Sequence, residues 1–319
     1  MLKRLKDFVF MIGVPVVVGL LVFAFYGFKW THIYDMMGMT FFIFFPYIIG
    51  VVSILRADIE KIKSIKYRIF HPWKILGIVL LITIVLAYEG WACWIMLFPF
   101  LAIFSSIGGL VAGHFRDNRQ KTNQQINVSL MLLIPLVLSP LESTMRYDSK
   151  VVETTTTINV KAPASKIWDN ITDVYTITPK EDSGYLSTLL AFPRPLQATL
   201  DKRAVGGYRK AIFTDGLVFH ERVTKYKDQK EMLFEITANT HEIPSTTLDS
   251  HLLIGGDYFD MIDGEYKLEK IDENSYKIIL TSHFMVTTSF NWYAGALGEM
   301  IMYDIQRNIL GVIKGRSEG

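Results

Sequence analysis

Apolar positions along this chain follow two regimes. Up to Leu141 they come in near-unbroken blocks: Phe8–Phe28, Met36–Leu55, Ile75–Tyr88, Ile95–Gly113 and Ile126–Leu141. Beyond Lys150 they alternate with polar residues or recur at helical spacing. A membrane-crossing helix needs ~20 apolar residues, so the first regime predicts an α-helical bundle of five spans. The first, second and fourth blocks have that length. Ile75–Tyr88 reaches it only with Pro72-Trp73 and Glu89-Gly90-Trp91 at the interfaces, where Trp73, Tyr88, Trp91 and Trp94 would form an aromatic belt. The fifth block is interrupted by Pro135 but has sharp polar edges at Arg116–Lys121 and at Pro140-Leu141-Glu142. It is expected to cross. If it only skimmed the surface, everything after it would stay on the cytoplasmic side.

The second regime predicts a strand over Val151–Val160, a helix over Ala164–Thr172 with Pro163 at its start, and a Pro-rich loop with a short helix near Tyr185–Leu190. Strands follow at Leu196–Lys202, Gly207–Thr214, Leu217–Lys227, Met232–Asn239, Ser250–Ile254, Glu265–Lys270 and Tyr276–Thr287. Asp215-Gly216 between two of them is a hairpin signal. A final helix runs from about Trp292 to Lys314, with Leu297, Ile301, Ile305, Ile309 and Val312 as an apolar stripe joined by Ala294, Met300 and Ile313. An antiparallel sheet wrapped around one long C-terminal helix is an α+β helix-grip architecture.

Charge adds direction. Three basic residues precede the first block, six separate the second from the third, and three separate the fourth from the fifth, while the intervening gaps hold only Lys29. Alternating basic loops put the N-terminus in the cytoplasm by the positive-inside rule. An odd number of spans then delivers residues 150–319 to the outer face of a plasma (inner) membrane. Lys3, Arg4 and Lys6 before an apolar run resemble a signal peptide, but the run exceeds the ~7–15 residues of such a segment and no A-x-A site follows, so it reads as an anchor. Residues 1–149 carry a net charge of +6 and residues 150–319 one of −4. No Lys/Arg cluster suited to nucleic acid stands in the second half. Cys93 is the single cysteine, which excludes a disulfide within the chain.

The stretch Ile158-Asn159-Val160-Lys161-Ala162-Pro163-Ala164-Ser165-Lys166-Ile167-Trp168-Asp169 resembles the opening strand and helix of the START/polyketide-cyclase superfamily. Gly206-Gly207-Tyr208-Arg209, then Asp215 to Thr224, are similar to its second landmark, and Trp292 to Lys314 to its terminal helix. The resemblance covers residues 150–316. It implies a deep apolar cavity between sheet and helix that takes lipids, sterols, polyketides or other hydrophobic molecules. Some members catalyse cyclisation there, and no catalytic residue is common to all.

Among single residues, Glu221 is the leading candidate. It alternates with Leu217, Phe219 and Val223, so its carboxylate faces apolar surroundings as a ligand-orienting group or a general acid or base. The competing reading is an ion pair with a neighbouring Arg or Lys at the cavity mouth. Tyr208 and Arg209 are polar ligand-binding candidates. Phe213, Phe219, Phe234, Tyr258, Tyr266, Phe284 and Met300 are wall candidates, with Trp168 and Trp292 as helix anchors. Ordinary core is the competing reading for each wall residue, and core packing is the favoured one for Trp168 and Trp292. His283 reads as a surface histidine. Asp257, Asp260 and Asp263 with His241 and His251 match no calcium loop, so no metal and no cofactor is expected. Ser245, Ser250 and Ser282 lack a nucleophile elbow. Gly108-Gly109 and Gly113 offer a small-residue surface to a partner span. These readings combine into a membrane-tethered binder of a hydrophobic small molecule or lipid. A cyclase- or dehydratase-type enzyme using Glu221, and a non-catalytic membrane scaffold, remain as alternatives.

Overall fold

The structure is a computed structural model and describes residues 9–27, 38–88, 90–122, 128–145, 147–238 and 254–319. The chain divides into two compact units, Met1–Tyr147 and Asp148–Gly319.

The first unit is helical. After a π turn over Val9–Gly13 come α1 (Val14–Gly27), α2 (Met39–Leu55), the short α3 (Ile59–Ile62), α4 (Ile65–Val85), α5 (Trp91–Thr122) and α6 (Val128–Glu142). Among the described residues, three stretches are long and apolar enough to cross a membrane: Phe10–Gly27, Ile65–Val85 and Trp91–Asp117. The five-span expectation is met only in part, because α2 has 17 residues and α6 has 15. The third block is corrected in the other direction. Its helix starts at Ile65, where the Ser64 hydroxyl caps the chain by accepting from the Tyr67 N–H. Lys66, Arg68 and Lys74 therefore ride on α4 and not in a loop. The aromatic belt also changes. The Trp73 indole donates to the Ala102 carbonyl (3.1 Å) and Ser106 Oγ (2.8 Å), and Trp94 to Thr83 Oγ1 (3.0 Å). Both indoles find partners inside the bundle, which draws them inward, whereas Tyr88 and Trp91 stay exposed.

α2 is the buried centre of this unit and packs on α1, α4, α5 and α6. Glycine makes that possible. A Cβ on Gly50 would lie 2.0 Å from the Ser105 carbonyl oxygen, and one on Gly108 2.2 Å from that of Tyr47. A Cβ on Gly109 would meet the Arg68 carbonyl, and one on Gly113 the Arg68 side chain. The small-residue surface expected to await a partner span is thus filled by the chain's own α2 and α4. Both ends of α2 are tied by charges of the sign that its dipole favours. The Glu142 carboxylate accepts from the Met39 and Thr40 N–H groups, the latter at 2.8 Å. At the other end Arg116 Nη1 donates to the carbonyls of Ile54 (2.8 Å) and Ala57. Tyr26 OH meets Ser139 Oγ at 2.7 Å. The outside of the unit is apolar, with Val17, Leu21, Ile78, Leu81, Val85, Ile95 and Ile103 exposed.

The second unit begins with β1 (Lys150–Val160), α7 (Ala164–Thr172) and α8 (Leu186–Leu189). β2 (Pro195–Leu200), β3 (Tyr208–Phe213), β4 (Val218–Lys227), β5 (Glu231–Ala238), β6 (Phe259–Asp272) and β7 (Ser275–Val286) precede α9 (Asn291–Glu318). The strands form one curled antiparallel sheet in the order β1-β7-β6-β5-β4-β3-β2. β6 is longer than expected because it pairs with β7 from Phe259↔Val286 onward. The expected strand at Ser250–Ile254 lies outside the described residues except for Ile254, which bridges to Phe259. The Asp-Gly hairpin is present: Asp215 (φ 59°) and Gly216 (φ 80°) both take the left-handed region that turns β3 into β4. α9 packs along β1 and β7. It also seals the open edge of β1, where Gln306 Nε2 donates to the Thr154 carbonyl at 3.0 Å.

Candidate functional site

The concave face of the sheet carries the candidate site. Strand alternation sends Arg209, Ala211 and Phe213 of β3, Phe219, Glu221 and Val223 of β4, Phe234 and Ile236 of β5, and Tyr266 of β6 to the buried side. Arg209 and Glu221 stand directly opposite each other across the β3–β4 hairpin. Arg209 Nη1 donates to Glu221 Oε2 at 2.5 Å, with the two side chains 4% and 6% exposed. Arg209 Nε and Nη2 reach the carbonyls of Thr172 and Ile171 at the end of α7, each at 3.3 Å. The guanidinium also lies over the rings of Phe234 (5.5 Å) and Tyr266 (6.0 Å). Phe234 can lie flat there because Gly264 opposite has no Cβ, which would fall 2.6 Å from the ring.

Burial pushes the Glu221 carboxyl above its ordinary value, and the Arg209 guanidinium beside it pulls the other way. Burial likewise pushes the Tyr266 hydroxyl up to about 12. The result is a charge-neutral polar knot in an aromatic wall. Three of the five guanidinium N–H groups are engaged by two carbonyls and the carboxylate.

Phe213 and Phe219 meet edge to face at 5.0 Å, and both join Phe234, Tyr266 and Phe284 in the core cluster. Trp168 is buried and donates to Tyr226 OH at 2.9 Å, so it locks α7 onto β4. Three candidates fall elsewhere. Tyr208, one residue from Arg209, lies on the opposite face, where its hydroxyl pairs with His220 Nδ1 at 2.6 Å. Trp292 is 63% exposed and Met300 57%, because the face of α9 turned to the sheet is built on Gly295, Gln306, Leu310 and Ile313. Tyr258 is half-buried. Of the acidic and histidine cluster, Asp263 is taken by His283, whose Nδ1 lies 2.6 Å from its carboxylate. His241, His251, Ser245 and Ser250 lie outside the described residues.

A curled antiparallel sheet closed by one long terminal helix defines this unit. It is a helix-grip domain. The segment between Asp173 and β2 runs from the edge of β2, where Val174 bridges to Ala198, to α9, which holds it at three points. Asp304 accepts from the N–H groups of Tyr185 (3.1 Å) and Ser187 (2.9 Å), Asn308 Oδ1 from Ser183 N (2.8 Å), and Arg316 binds Glu181 through Nε at 2.7 Å. Sequence reading missed this strap, since its partners lie more than a hundred positions apart and leave no local signal.

Solved structures align with about half of this chain. A START superfamily protein from Mycobacterium smegmatis aligns at 11% identity and a TM-score of 0.35, covering 52% of this chain and 97% of its own. The ZhuI aromatase/cyclase from Streptomyces sp. R1128 aligns at 14% and 0.33 over 53% of this chain and 94% of its own. A truncated norcoclaurine synthase from Thalictrum flavum aligns at 14% and 0.32 over 54% and 94%. No family model matches the chain, and no curated protein matches it.

Proposed function

We propose that this protein is an integral membrane protein whose helix-grip domain holds a hydrophobic small molecule or lipid between sheet and helix, and that it binds the molecule without transforming it. The observation that carries this reading is on α9. Met302, Ile305 and Ile309 pack against the core cluster yet are only partly buried. α9 itself follows β1 and β7 at one side of the sheet, away from the aromatic wall of β3–β5. Apolar side chains left incompletely covered on α9, with an aromatic wall on the strands away from it, suit a hydrophobic guest between the two, whose burial stabilises by about 25 cal/mol per Å². Arg209 and Glu221 would orient a polar end of that guest. The engagement of Glu221 with Arg209 weighs against the cyclase reading, and the filled glycine surface of α5 against the scaffold reading.

Five passes fit the first unit better than three. Arg116 ties the end of α5 to the C-terminal end of α2, while Glu142 ties the end of α6 to its N-terminal end. The chain between them must travel the length of α2, about 25 Å at ~1.5 Å per residue, and α6 makes that passage. With the N-terminus cytoplasmic, the helix-grip domain then works on the outer face of the inner membrane.

The test is native mass spectrometry of the full-length protein released from lipid nanodiscs. A co-purified apolar molecule is expected with the native chain and lost from Ile305→Trp, whose larger side chain fills the space. A native chain that carries nothing, or an Ile305→Trp chain that carries the same molecule, overturns the reading.

A further inference from the structure

The exposed face of α9 has a composition that the interior does not explain. Trp292, Ala296, Met300 and Tyr303 recur at steps of four, four and three, the spacing of one helical face, and all four are exposed. Trp292, Met300 and Tyr303 are 63%, 57% and 48% exposed. Arg307 continues the stripe, and Glu299 borders it. Val205, in a turn, and Ile271, at the end of β6, are exposed singly.

The start of this stripe is fixed to the point where the chain enters the domain. Asn291 Nδ2 donates to the Asp148 carbonyl at 2.7 Å, and Ser149 Oγ lies 2.9 Å from Thr287 Oγ1. β1 opens with Lys150 paired to Val286, just before α9. Only residues 143–147 stand between Glu142, the last residue of α6, and Asp148. Five extended residues reach at most ~18 Å. A stripe of Trp, Met and Tyr on such a tether is the chemistry of the bilayer interface, where amphipathic rings bury their bodies and keep their polar edges wet.

We propose that the Trp292–Tyr303 face of α9 docks on the headgroup layer of the membrane that holds the first unit. The docked helix lies in the interface plane with Trp292 as its anchor. This inference rests on the membrane reading above.

Both are separated by one set of measurements on the full-length protein in liposomes. In a Cys93→Ala background, an environment-sensitive fluorophore is placed singly at Ala296→Cys, at Tyr175→Cys or at Leu81→Cys. Tyr175 serves as the distant control, since its carbonyl accepts from Arg316 at the far end of α9. Leu81 reports on the apolar outside of α4. With lipids carrying spin-label quenchers, the Ala296 and Leu81 probes should be quenched and the Tyr175 probe should not. Trp292→Ser should release the Ala296 probe from quenching. A quenched Leu81 probe beside an unquenched Ala296 probe overturns the docking alone, and so does an Ala296 probe indifferent to Trp292→Ser. A blue-shifted but unquenched Ala296 probe means that protein, not lipid, covers the face, which also overturns it. An unquenched Leu81 probe removes the membrane reading and this inference with it.

Discussion

Replacing Glu221 by Gln keeps the side chain's shape and removes its charge, leaving the Arg209 guanidinium buried without a counter-ion. Breaking one partner of a buried pair costs about 3–5 kcal/mol. The lower end applies here, because Arg209 keeps the Ile171 and Thr172 carbonyls and its two ring contacts. A loss of about 3 kcal/mol is roughly a hundredfold in an opening equilibrium, at ~1.4 kcal/mol per factor of ten. The assay is hydrogen exchange of the β3 and β4 amides in the full-length protein in nanodiscs. Protection should fall by about that factor in E221Q. The double variant Arg209→Met with Glu221→Leu should recover most of it, since apolar replacement of a whole buried pair is near neutral or stabilising. Unchanged protection in E221Q, or a double variant worse than the single one, would refute the assignment of this pair as a structural knot.

Two further outcomes follow from other contacts. The hydrogen bond to Asp263, with Glu153 nearby, raises the His283 value above its ordinary 6.5, against the opposing pull of partial burial. Stabilisation from the charged imidazole is therefore complete below 6.5 and fades as pH rises through the raised value. The stability difference between the native chain and His283→Gln should be larger at about pH 5.5 than at about pH 9, and a pH-independent difference would sink the idea. In the first unit, Gly50→Ala places a Cβ against the Ser105 carbonyl, while Gly77→Ala meets nothing within 4 Å. The former should lower the melting temperature in detergent sharply, whereas the latter should hold or raise it, with up to ~1 kcal/mol of helix propensity gained. Equal effects would mean that α2 and α5 do not pack backbone to backbone.

The alternation of Leu217–Lys227 was enough to place Glu221 on the buried face, and the Asp-Gly turn fixes its partner as well. Phe213 bonds Leu217 across the turn, and four residues back on each strand set Arg209 against Glu221. Helix α7 was legible to its bounds because Pro163 starts it. The contacts of α9 were less so. Leu297, Ile301, Ile305 and Ile309 recur every four residues, and a four-residue repeat drifts around a helix of 3.6 residues per turn. The buried line runs instead through Gly295, Gln306, Leu310 and Ile313, two of them residues that no hydrophobicity pattern selects. Met300, which the sequence spacing joins to that stripe, lies on the far side. The same limit applies to α2, whose centrality depends on Glu142, Arg116 and glycines on other helices.

Dependence of α2 on Glu142 has a consequence for biosynthesis. The carboxylate that satisfies the Met39 N–H stands 103 positions downstream of it. At synthesis rates of ~5–20 residues per second, the start of α2 waits about 5–20 s for that partner to be made. Through that interval the first turn of the unit's innermost helix carries unmet N–H groups, which are costly away from water. A chain truncated before α6 would keep them permanently, so this bundle registers its own completion only when its last helix arrives.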